Sequence, residues 1–326
     1  MSALPQPSQT ETRLTAMLRS AFKGPVGAAL VADDTIEILA NPDGSVWIEA
    51  AGSGLRRAAE SLGHADRERI IRLVASSVGE ICDQVSPIVS AELPGSGERF
   101  EGILPPVSKG PCFAIRKLAH QPIGLDTYVE TGGLTPALCM ALRAALADRL
   151  NIVVAGGTSS GKTTFANALL SEASLADDRI VILEDTRELR CSAEDVTQLR
   201  THRSGITLRD LVRSTLRLRP DRIIVGEVRG GEALDLLKAW NTGHPGGITT
   251  LHANSAAGAL TRLEHLVEEA TPALPHALIG EAVDVIVFTS RASGARRVEQ
   301  ALRITGFDGT EYHTELLAAP FLNIVN

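Results

Sequence analysis

Aromatic residues and cysteines are scarce in this sequence. The first scarcity limits how the core is built, and the second excludes some kinds of site. Aromatic residues make up 3% of the 326 residues and hydrophobic residues 44%, so the core has to be built from Ala, Leu, Val and Ile. The four cysteines stand far apart, at Cys82, Cys112, Cys139 and Cys191. Without a Cys-x-x-Cys pair or a histidine at metal-ligand spacing, they indicate buried thiols in a reducing compartment rather than a zinc site or a disulfide framework.

Long apolar runs are missing as well, which excludes a helix that crosses a membrane. Such a helix needs about 20 apolar residues in a row, and the most apolar stretch, residues 137–155, is interrupted by Arg143, Asp148 and Arg149. The first ten residues lack the basic and then apolar layout of a secretory signal. We therefore expect a cytoplasmic protein, with membrane contact limited to peripheral binding.

The sequence also has no excess of positive charge. Lys and Arg number 32 against 39 Asp and Glu, which leaves a net charge of −7. Binding to nucleic acid depends mainly on neutralising its phosphates. The acidic balance therefore argues against direct binding of nucleic acid, although a local basic patch remains open.

The length of 326 residues is typical of two domains, and the sequence pattern changes near residue 120. The first part mixes helical spacing, over residues 12–22 and 66–83, with strands, two of which flank the turn Asn41-Pro42-Asp43-Gly44. We interpret residues 1–120 as a small α+β domain and the glycine-rich residues 121–134 as a linker.

From residue 135 onward, apolar strands alternate with helices. Strands are expected at residues 151–155, 180–183, 222–225, 248–251 and 283–289. Apolar strands separated by helices are typical of a mainly parallel sheet buried between helices, so residues 135–326 form an α/β domain. Ligands of such sheets bind at the carboxyl ends of the strands.

A phosphate-binding loop follows the first of these strands. Residues 156–163 match Gly-x-x-x-x-Gly-Lys-[Ser/Thr] between a strand and a helix, the context that this motif requires. Glycines let backbone N–H groups point at phosphates, and the helix N-terminus adds the positive end of its dipole. Lys162 is predicted to reach the β- and γ-phosphates, and the Thr163 hydroxyl to bind Mg²⁺. The predicted nucleotide-binding residues of the loop are Gly156, Gly157, Thr158, Ser159, Ser160, Gly161, Lys162, Thr163 and Thr164.

Two of the predicted strands end in carboxylates. The second strand is followed by Glu184 and Asp185, which form either a solvated turn or a site for Mg²⁺ and its waters. Most P-loop ATPases end the third strand with an Asp for Mg²⁺, but here Gly226 precedes Glu227. We predict Glu227 as the catalytic carboxylate that activates water, Glu184 as a second catalytic carboxylate, and Asp185 as an Mg²⁺ ligand.

Arginines are concentrated between these two strands. Arg209, Arg213 and Arg217 recur every four residues on one face of a predicted helix. A solvated basic face explains this pattern. Contact of Arg213 or Arg217 with phosphates, in the same subunit or across an interface as an arginine finger, explains it too. Arg219 is a third candidate for the role across an interface.

Two histidines, His244 and His252, flank a short predicted strand in a Gly-rich segment. A single histidine is usually structural, but a pair that follows an acid-terminated strand favours sensing of the γ-phosphate. We therefore predict both as sensors and include His252 in the catalytic set with Glu227, Glu184 and Lys162.

These motifs resemble those of the secretion ATPases of type II and type IV systems in order and spacing. The likeness is strongest at Leu-Arg-Leu-Arg-Pro-Asp (216–221), at Gly-Glu-Val-Arg (226–229) and around the two histidines (242–254). The short first part, which has no zinc-binding cysteine cluster, narrows the likeness to the type IV branch and its conjugal-transfer ATPases.

The resemblance implies a homo-hexameric ring in which a RecA-like P-loop domain binds ATP and Mg²⁺ against the N-terminal domain. In such proteins N-terminal arginines approach the phosphates, which makes Arg99 and Arg116 candidate nucleotide-binding residues by position. The ring would lie on the cytoplasmic face of the inner membrane with other type IV secretion components. Its ATP hydrolysis would power conjugation, the transfer of plasmid DNA and protein.

The sequence leaves three alternatives open. A RecA-like DNA translocase or helicase fits the arginine-rich segment but not the acidic net charge. A small-molecule kinase would use the first domain to bind a phosphate acceptor. A nucleotide-gated scaffold would bind ATP with little turnover.

Overall fold

The computed structural model describes residues 9–117, 123–202, 204–292 and 295–318. The chain forms two compact units, Met1–His120 and Gln121–Asn326. Each unit has a β-sheet and a hydrophobic core of its own. None of the described helices is both long and apolar enough to cross a membrane.

The first unit is built on an antiparallel sheet of six strands. In the spatial order β3-β2-β1-β6-β5-β4, the strands are β1 (Thr35–Ala40), β2 (Val46–Ala50), β3 (Gly54–Arg57), β4 (Ile88–Glu92), β5 (Arg99–Ile103) and β6 (Cys112–Arg116). β1 and β2 pair antiparallel across the predicted turn. In that turn Gly44 donates to Asn41 O at 3.0 Å and has φ +92°, a conformation that favours glycine. The predicted hairpin is confirmed.

Helices complete the core of the first unit. They are α1 (Gln9–Ala21), α2 (Gly24–Val31) and α3 (His64–Ser77). The apolar positions of α3 that predicted a helix, among them Ile70, Ile71 and Val74, are fully buried. The helix is shorter than predicted because Gly79 adopts φ +74°, a left-handed conformation that ends helices.

The second unit contains an eight-stranded sheet in the order β14-β13-β12-β7-β11-β10-β8-β9. The parallel strands are β7 (Ile152–Gly156), β8 (Arg179–Glu184), β9 (Asp195–Arg200), β10 (Arg222–Val225), β11 (Ile248–His252) and β12 (Val285–Ala292). β13 (Ala295–Phe307) and β14 (Tyr312–Leu316) extend the sheet in antiparallel pairs. The predicted mainly parallel sheet is confirmed, and its five predicted strands are present.

Helices cover both faces of this sheet. They are α4 (Leu125–Glu130), α5 (Pro136–Ala147), α6 (Lys162–Leu170), α7 (Leu208–Thr215), α8 (Glu232–Asn241), α9 (Ala256–Glu268) and α10 (His276–Ala282). Side chains alternate along β7, so that Val153 packs in a cluster with α7 to α10, and Ile152 and Val154 pack in a second cluster with α4 to α6. This burial on both faces explains why the strands are apolar throughout.

Helix α4 lies within the segment that the sequence assigned to a linker, of which residues 121 and 122 are outside the described residues. Leu125 and Tyr128 of α4 are buried in the core of the second unit. The ring of Tyr128 packs edge-on against Phe165, with 5.2 Å between the ring centroids. The segment therefore belongs to the second unit, since its two apolar residues lie one helical turn apart and pack on α6.

The parallel strands define two edges of the sheet. The carboxyl edge is where these strands end, at Gly156, Glu184, Val225 and His252, and the amino edge is where they begin, at Ile152, Arg179, Arg222 and Ile248. His252 pairs with Gly156, and Val225 pairs with Leu183. The phosphate loop and both carboxylate motifs therefore meet at the carboxyl edge.

Candidate functional site

The loop that follows β7 has the backbone of a phosphate cradle. Ser159 and Gly161 have positive φ angles of 58° and 96°, which curl the chain. Gly156 has no room for a side chain, because a Cβ there would lie 2.4 Å from Ser160 Oγ and 2.5 Å from Thr289 O. No side chain caps the N-terminus of α6. Its first N–H groups are therefore oriented to bind an anion.

Lys162, His252 and Glu227 form a chain of contacts at the carboxyl edge. Lys162 Nζ donates to Gly157 O at 2.9 Å and lies 3.4 Å from each ring nitrogen of His252. Nε2 of His252 lies 2.9 Å from Oε1 of Glu227. The ring of His252 therefore lies between the ammonium group of Lys162 and a carboxylate oxygen of Glu227.

These surroundings favour the neutral form of His252. Burial lowers its pKa below the usual value of 6.5, and the positive charge of Lys162 acts in the same direction, while Glu227 opposes both. The imidazole therefore joins a cation to a carboxylate without adding a positive charge of its own at neutral pH.

Arg229 holds the other oxygen of the Glu227 carboxylate. Its Nε donates to Oε2 at 2.6 Å, and its Nη2 contacts the same oxygen. Its Nη1 lies 3.9 Å from Asp185, whose Oδ1 accepts from the Thr201 hydroxyl at 3.0 Å. One guanidinium therefore links the carboxylates that follow β8 and β10.

Glu184 is buried at the end of β8 in a fixed position. Its Oε1 accepts the N–H groups of Glu188 and Leu189, each at 2.8 Å. A Cβ added to Gly226 would lie 2.9 Å from Glu184 Cγ, closer than carbon atoms approach in proteins. Glu184 thus fills the space that an Asp at position 226 would need, which explains why the strand end carries glycine.

Residues 36–299 match the model of the Type II/IV secretion system protein family. The chain belongs to this family. The conjugal transfer protein TrbB of Rhizobium radiobacter is 48% identical to it over 309 residues, which are 94% of this chain and 95% of that protein. The probable conjugal transfer protein TrbB of Sinorhizobium fredii is 46% identical over 94% of each protein. The resemblance predicted from the motifs is confirmed.

A solved structure of an ATPase has a similar fold. The X-ray structure of the Legionella pneumophila ATPase DotB aligns with a TM-score of 0.59 and 19% identity, over 93% of this chain and 83% of that one. At this identity the likeness concerns the fold alone. It supports a P-loop α/β domain that follows an N-terminal antiparallel sheet.

Several residues predicted for the site of this secretion system protein lie away from the carboxyl edge. His244 precedes β11 and its Nδ1 donates to Pro220 O at 3.0 Å, at the amino edge. Four residues of β11, 248–251, lie between it and His252, and each strand residue adds about 3.3 Å. The structure therefore does not bring the two histidines to one phosphate of the same subunit, because sequence spacing does not show that a strand runs between them.

The predicted arginines of the α7 region are also away from the phosphate loop. Arg213 pairs with Asp235 of α8 at 2.9 Å, a surface contact that accounts for its place on the helix. Arg217 and Arg219 are exposed in the turn that leads from α7 to the amino end of β10.

Arg99 and Arg116 lie directly opposite one another on β5 and β6 of the first unit. Opposite residues of an antiparallel pair project from the same face of the sheet, so the two arginine side chains are neighbours on one face. Glu92 faces Arg99 from β4, and Glu37 faces Arg116 from β1. Their role toward nucleotide stays a prediction.

The sequence patterns assign no role to two arginines that the structure places at the site. Arg229 lies two residues after Glu227, a spacing that puts both side chains on one side of an extended segment, so the pattern contained a usable signal. Arg296 carries no local motif. It reaches the phosphate loop through the hairpin of β12 and β13, and its Nη1 lies 3.4 Å from Thr164 Oγ1.

Proposed function

We propose that this chain is a conjugal-transfer ATPase, which hydrolyses ATP to power a type IV secretion apparatus. The observation that carries the proposal is the contact chain in which His252 joins the phosphate-loop residue Lys162 to the carboxylate of Glu227. The names of its relatives, which are conjugal transfer proteins, support the role in transfer.

The phosphate loop binds the triphosphate through its backbone and one cation. Lys162 is placed to exchange its contact with Gly157 O for oxygens of the β- and γ-phosphates. The N–H groups of the loop and the dipole of α6 favour negative charge at the same place. ATP affinity therefore depends on Lys162 and on the glycines that shape the loop.

The oxygen donors at the carboxyl edge fit an Mg²⁺ ion. The hydroxyl of Thr163 lies in the first turn of α6, and the carboxylates of Glu184 and Asp185 end β8, so all are the hard ligands that Mg²⁺ prefers. The ion would neutralise charge on the β- and γ-phosphate oxygens. Since position 226 carries no carboxylate, Glu184 supplies the acid that β10 lacks.

Glu227 is the group that accepts the proton of the attacking water. Arg229 donates to its Oε2 at 2.6 Å, and His252 Nε2 lies 2.9 Å from its Oε1, so that the carboxylate is oriented before the reaction. Oε1 of Glu184 is engaged by two backbone N–H groups. Glu184 is also only 3% exposed, whereas Glu227 is partly exposed, so we assign the general base to Glu227 and a positioning role to Glu184. His252 links Glu227 to Lys162, so that a γ-phosphate at Lys162 also alters the contacts of Glu227.

We further propose that the ATPase works as a hexameric ring on the cytoplasmic side of the inner membrane, with other type IV secretion components. A phosphate role for His244 or Arg217 requires a nucleotide held by another subunit, since both lie toward the amino edge of their own sheet. We propose the same for Arg213, which pairs with Asp235 on the surface of α8. Arg99 and Arg116 are the cations of the first unit proposed for phosphate binding.

Release of phosphate from ATP by the purified full-length chain tests the enzymatic part of the proposal. Wild type hydrolyses ATP without an added acceptor, and Lys162→Ala lowers turnover by about 100-fold or more, because the phosphates lose their cation. Lys238→Ala, an exposed lysine in the last turn of α8, is the matched control and keeps wild-type turnover.

Equal turnover in wild type and Lys162→Ala contradicts the proposal. A stimulation by DNA of about tenfold at moderate salt would favour a DNA translocase instead, because such a motor couples its hydrolysis to a charged strand.

A further inference from the structure

The side chain of Arg296 lies across the phosphate loop. A Cβ on Gly161 would lie 2.7 Å from Arg296 Cδ and 3.3 Å from its Nε. The guanidinium continues toward α6, where Nη1 donates to Thr164 Oγ1 at 3.4 Å. A glycine at position 161 therefore serves two purposes, since its positive φ curls the loop and its missing side chain leaves room for Arg296.

The backbone of Arg296 is held in place by the turn between α4 and α5. A Cβ on Gly133 would lie 2.8 Å from Arg296 O, so the two backbones are in close contact. Two residues further along β13, the N–H of Val298 donates to Gly133 O at 2.8 Å. The start of β13 is therefore fixed against the turn between α4 and α5. This contact restricts the positions that the guanidinium of Arg296 can reach.

The order of the strands puts Arg296 on one side of the loop and the catalytic residues on the other. β11, β10 and β8 lie on one side of β7, and β12 and β13 lie on the other. His252 and Glu227 follow the first group, so the γ-phosphate belongs there. If the nucleotide lies across the loop with its γ-phosphate beside His252 and Glu227, its α-phosphate and nucleoside lie on the side of β12 and β13.

Among the described residues, no carboxylate oxygen lies within ion-pair distance of the Arg296 guanidinium, whose hydrogen bond goes to the Thr164 hydroxyl. The next residue, Arg297, does have such a partner, because its Nη2 lies 3.1 Å from Glu299. The two adjacent arginines therefore differ in that only Arg297 is committed to a carboxylate of its own chain.

We propose that Arg296 binds the α-phosphate of the nucleotide, an inference that rests on the proposed function of the loop. Guanidinium groups bind phosphate oxygens through charged hydrogen bonds. The α-phosphate does not change charge when the γ-phosphate is cleaved, so Arg296 contributes equally to the bound substrate and the transition state. Such a contact acts on affinity and leaves turnover at saturation unchanged.

Calorimetric titration of the full chain with ADP and, by competition, AMP tests this inference. Arg296→Ala weakens the binding of both by about tenfold, the loss of one charged hydrogen bond, and Arg296→Lys restores part of it. Turnover at saturating ATP stays within about twofold of wild type, while KM rises with the dissociation constant. Arg297→Ala, the matched control, binds ADP as wild type does.

The outcomes separate this inference from the function on which it rests. If wild type binds no ADP, the nucleotide site itself is refuted. If wild type binds ADP and Arg296→Ala binds it equally well, only the role of Arg296 is refuted. A changed preference for ADP over GDP in Arg296→Ala would show that the arginine reads the base. A tenfold loss of turnover at saturation would show that it acts on the transition state. Either result overturns the α-phosphate assignment.

Discussion

The two edges of the large sheet contain the same kinds of residue in different surroundings. At the amino edge Arg222 is fully buried; its Nε donates to Asp178 at 2.5 Å and its Nη2 to Leu146 O at 2.9 Å, and Arg149 also pairs with Asp178. At the carboxyl edge Arg229 is more than half exposed, and it pairs with Glu227 beside the phosphate loop.

The histidines repeat the contrast. His244 donates to the carbonyl of Pro220 at the amino edge, whereas His252 lies between a lysine and a carboxylate at the carboxyl edge. Residue type therefore does not distinguish a structural group from a catalytic one in this sheet. Position does, because the carboxyl edge is where the loops of a parallel sheet can hold a ligand. At the amino edge, the charged side chains pair with one another and with backbone carbonyls of the same edge.

Substitution of Arg222 and Arg229 should give the largest difference between the two edges. Arg222→Ala leaves Asp178 buried with part of its partners lost and lowers the free energy of unfolding of the second unit by about 3–5 kcal/mol. Arg229→Ala costs less, about 1–2 kcal/mol, because Arg229 itself is 58% exposed although its partner Glu227 is 15% exposed. It lowers turnover about tenfold, since Glu227 loses its support. Urea unfolding followed by Trp240 fluorescence in a Trp47→Phe background, together with phosphate release, measures both effects.

A catalytic loss in folded Arg222→Ala as large as that in Arg229→Ala would contradict the division between the edges. So would a loss of stability in Arg229→Ala that matches that of Arg222→Ala.

The packing of Gly226 against Glu184 offers a test within the carboxyl edge. Gly226→Ala forces a methyl group to within 2.9 Å of Glu184 Cγ, and the carboxylate cannot move freely because two N–H groups hold it. We expect turnover to fall about 100-fold through displaced carboxylates. Gly124→Ala is the control, since a Cβ at Gly124 meets no atom within 4 Å. Wild-type turnover in Gly226→Ala would show that the position of Glu184 is not needed.

Substitution of the two histidines, one at each edge, should give the smallest difference in turnover and stability. His252→Ala removes the link between Lys162 and Glu227, and we expect turnover to fall about tenfold with little change in stability. His244→Ala removes one hydrogen bond to Pro220 O and should cost about 1 kcal/mol of stability. Turnover per folded monomer should be unchanged when His244→Ala is assayed below the concentration at which subunits associate. A catalytic loss confined to the associated state would instead support a role of His244 toward another subunit.

Local patterns predicted most of the fold and the centre of the site. The bounds predicted for β10 agree with the structure at Arg222–Val225, and the predicted helix after the phosphate loop is present as α6. A buried apolar run and a phosphate-loop motif are each recognisable within a few residues. Glu227 and His252 followed from the same signals, since Glu227 comes two residues after β10 and His252 ends β11.

The remaining features depend on contacts between distant segments. Helix α4 was not predicted because the glycines that flank it indicated a linker. Its burial depends on a contact with α6. The distance in sequence between His244 and His252 did not show that the two lie at opposite edges of the sheet. Arg296 could not be predicted, because it reaches Gly161 only through the antiparallel pairing of β12 and β13. Sequence periodicity contains no information about that register.

The central claim is that Glu227 activates water for attack on ATP held by the phosphate loop. A single-turnover measurement, with the chain in excess over labelled ATP, tests it most directly. Wild type should convert bound ATP to ADP, while Glu227→Gln should bind ATP equally well and cleave it about 100- to 10,000-fold more slowly. Cleavage by Glu227→Gln at the wild-type rate would contradict the account and move the catalytic role to Glu184.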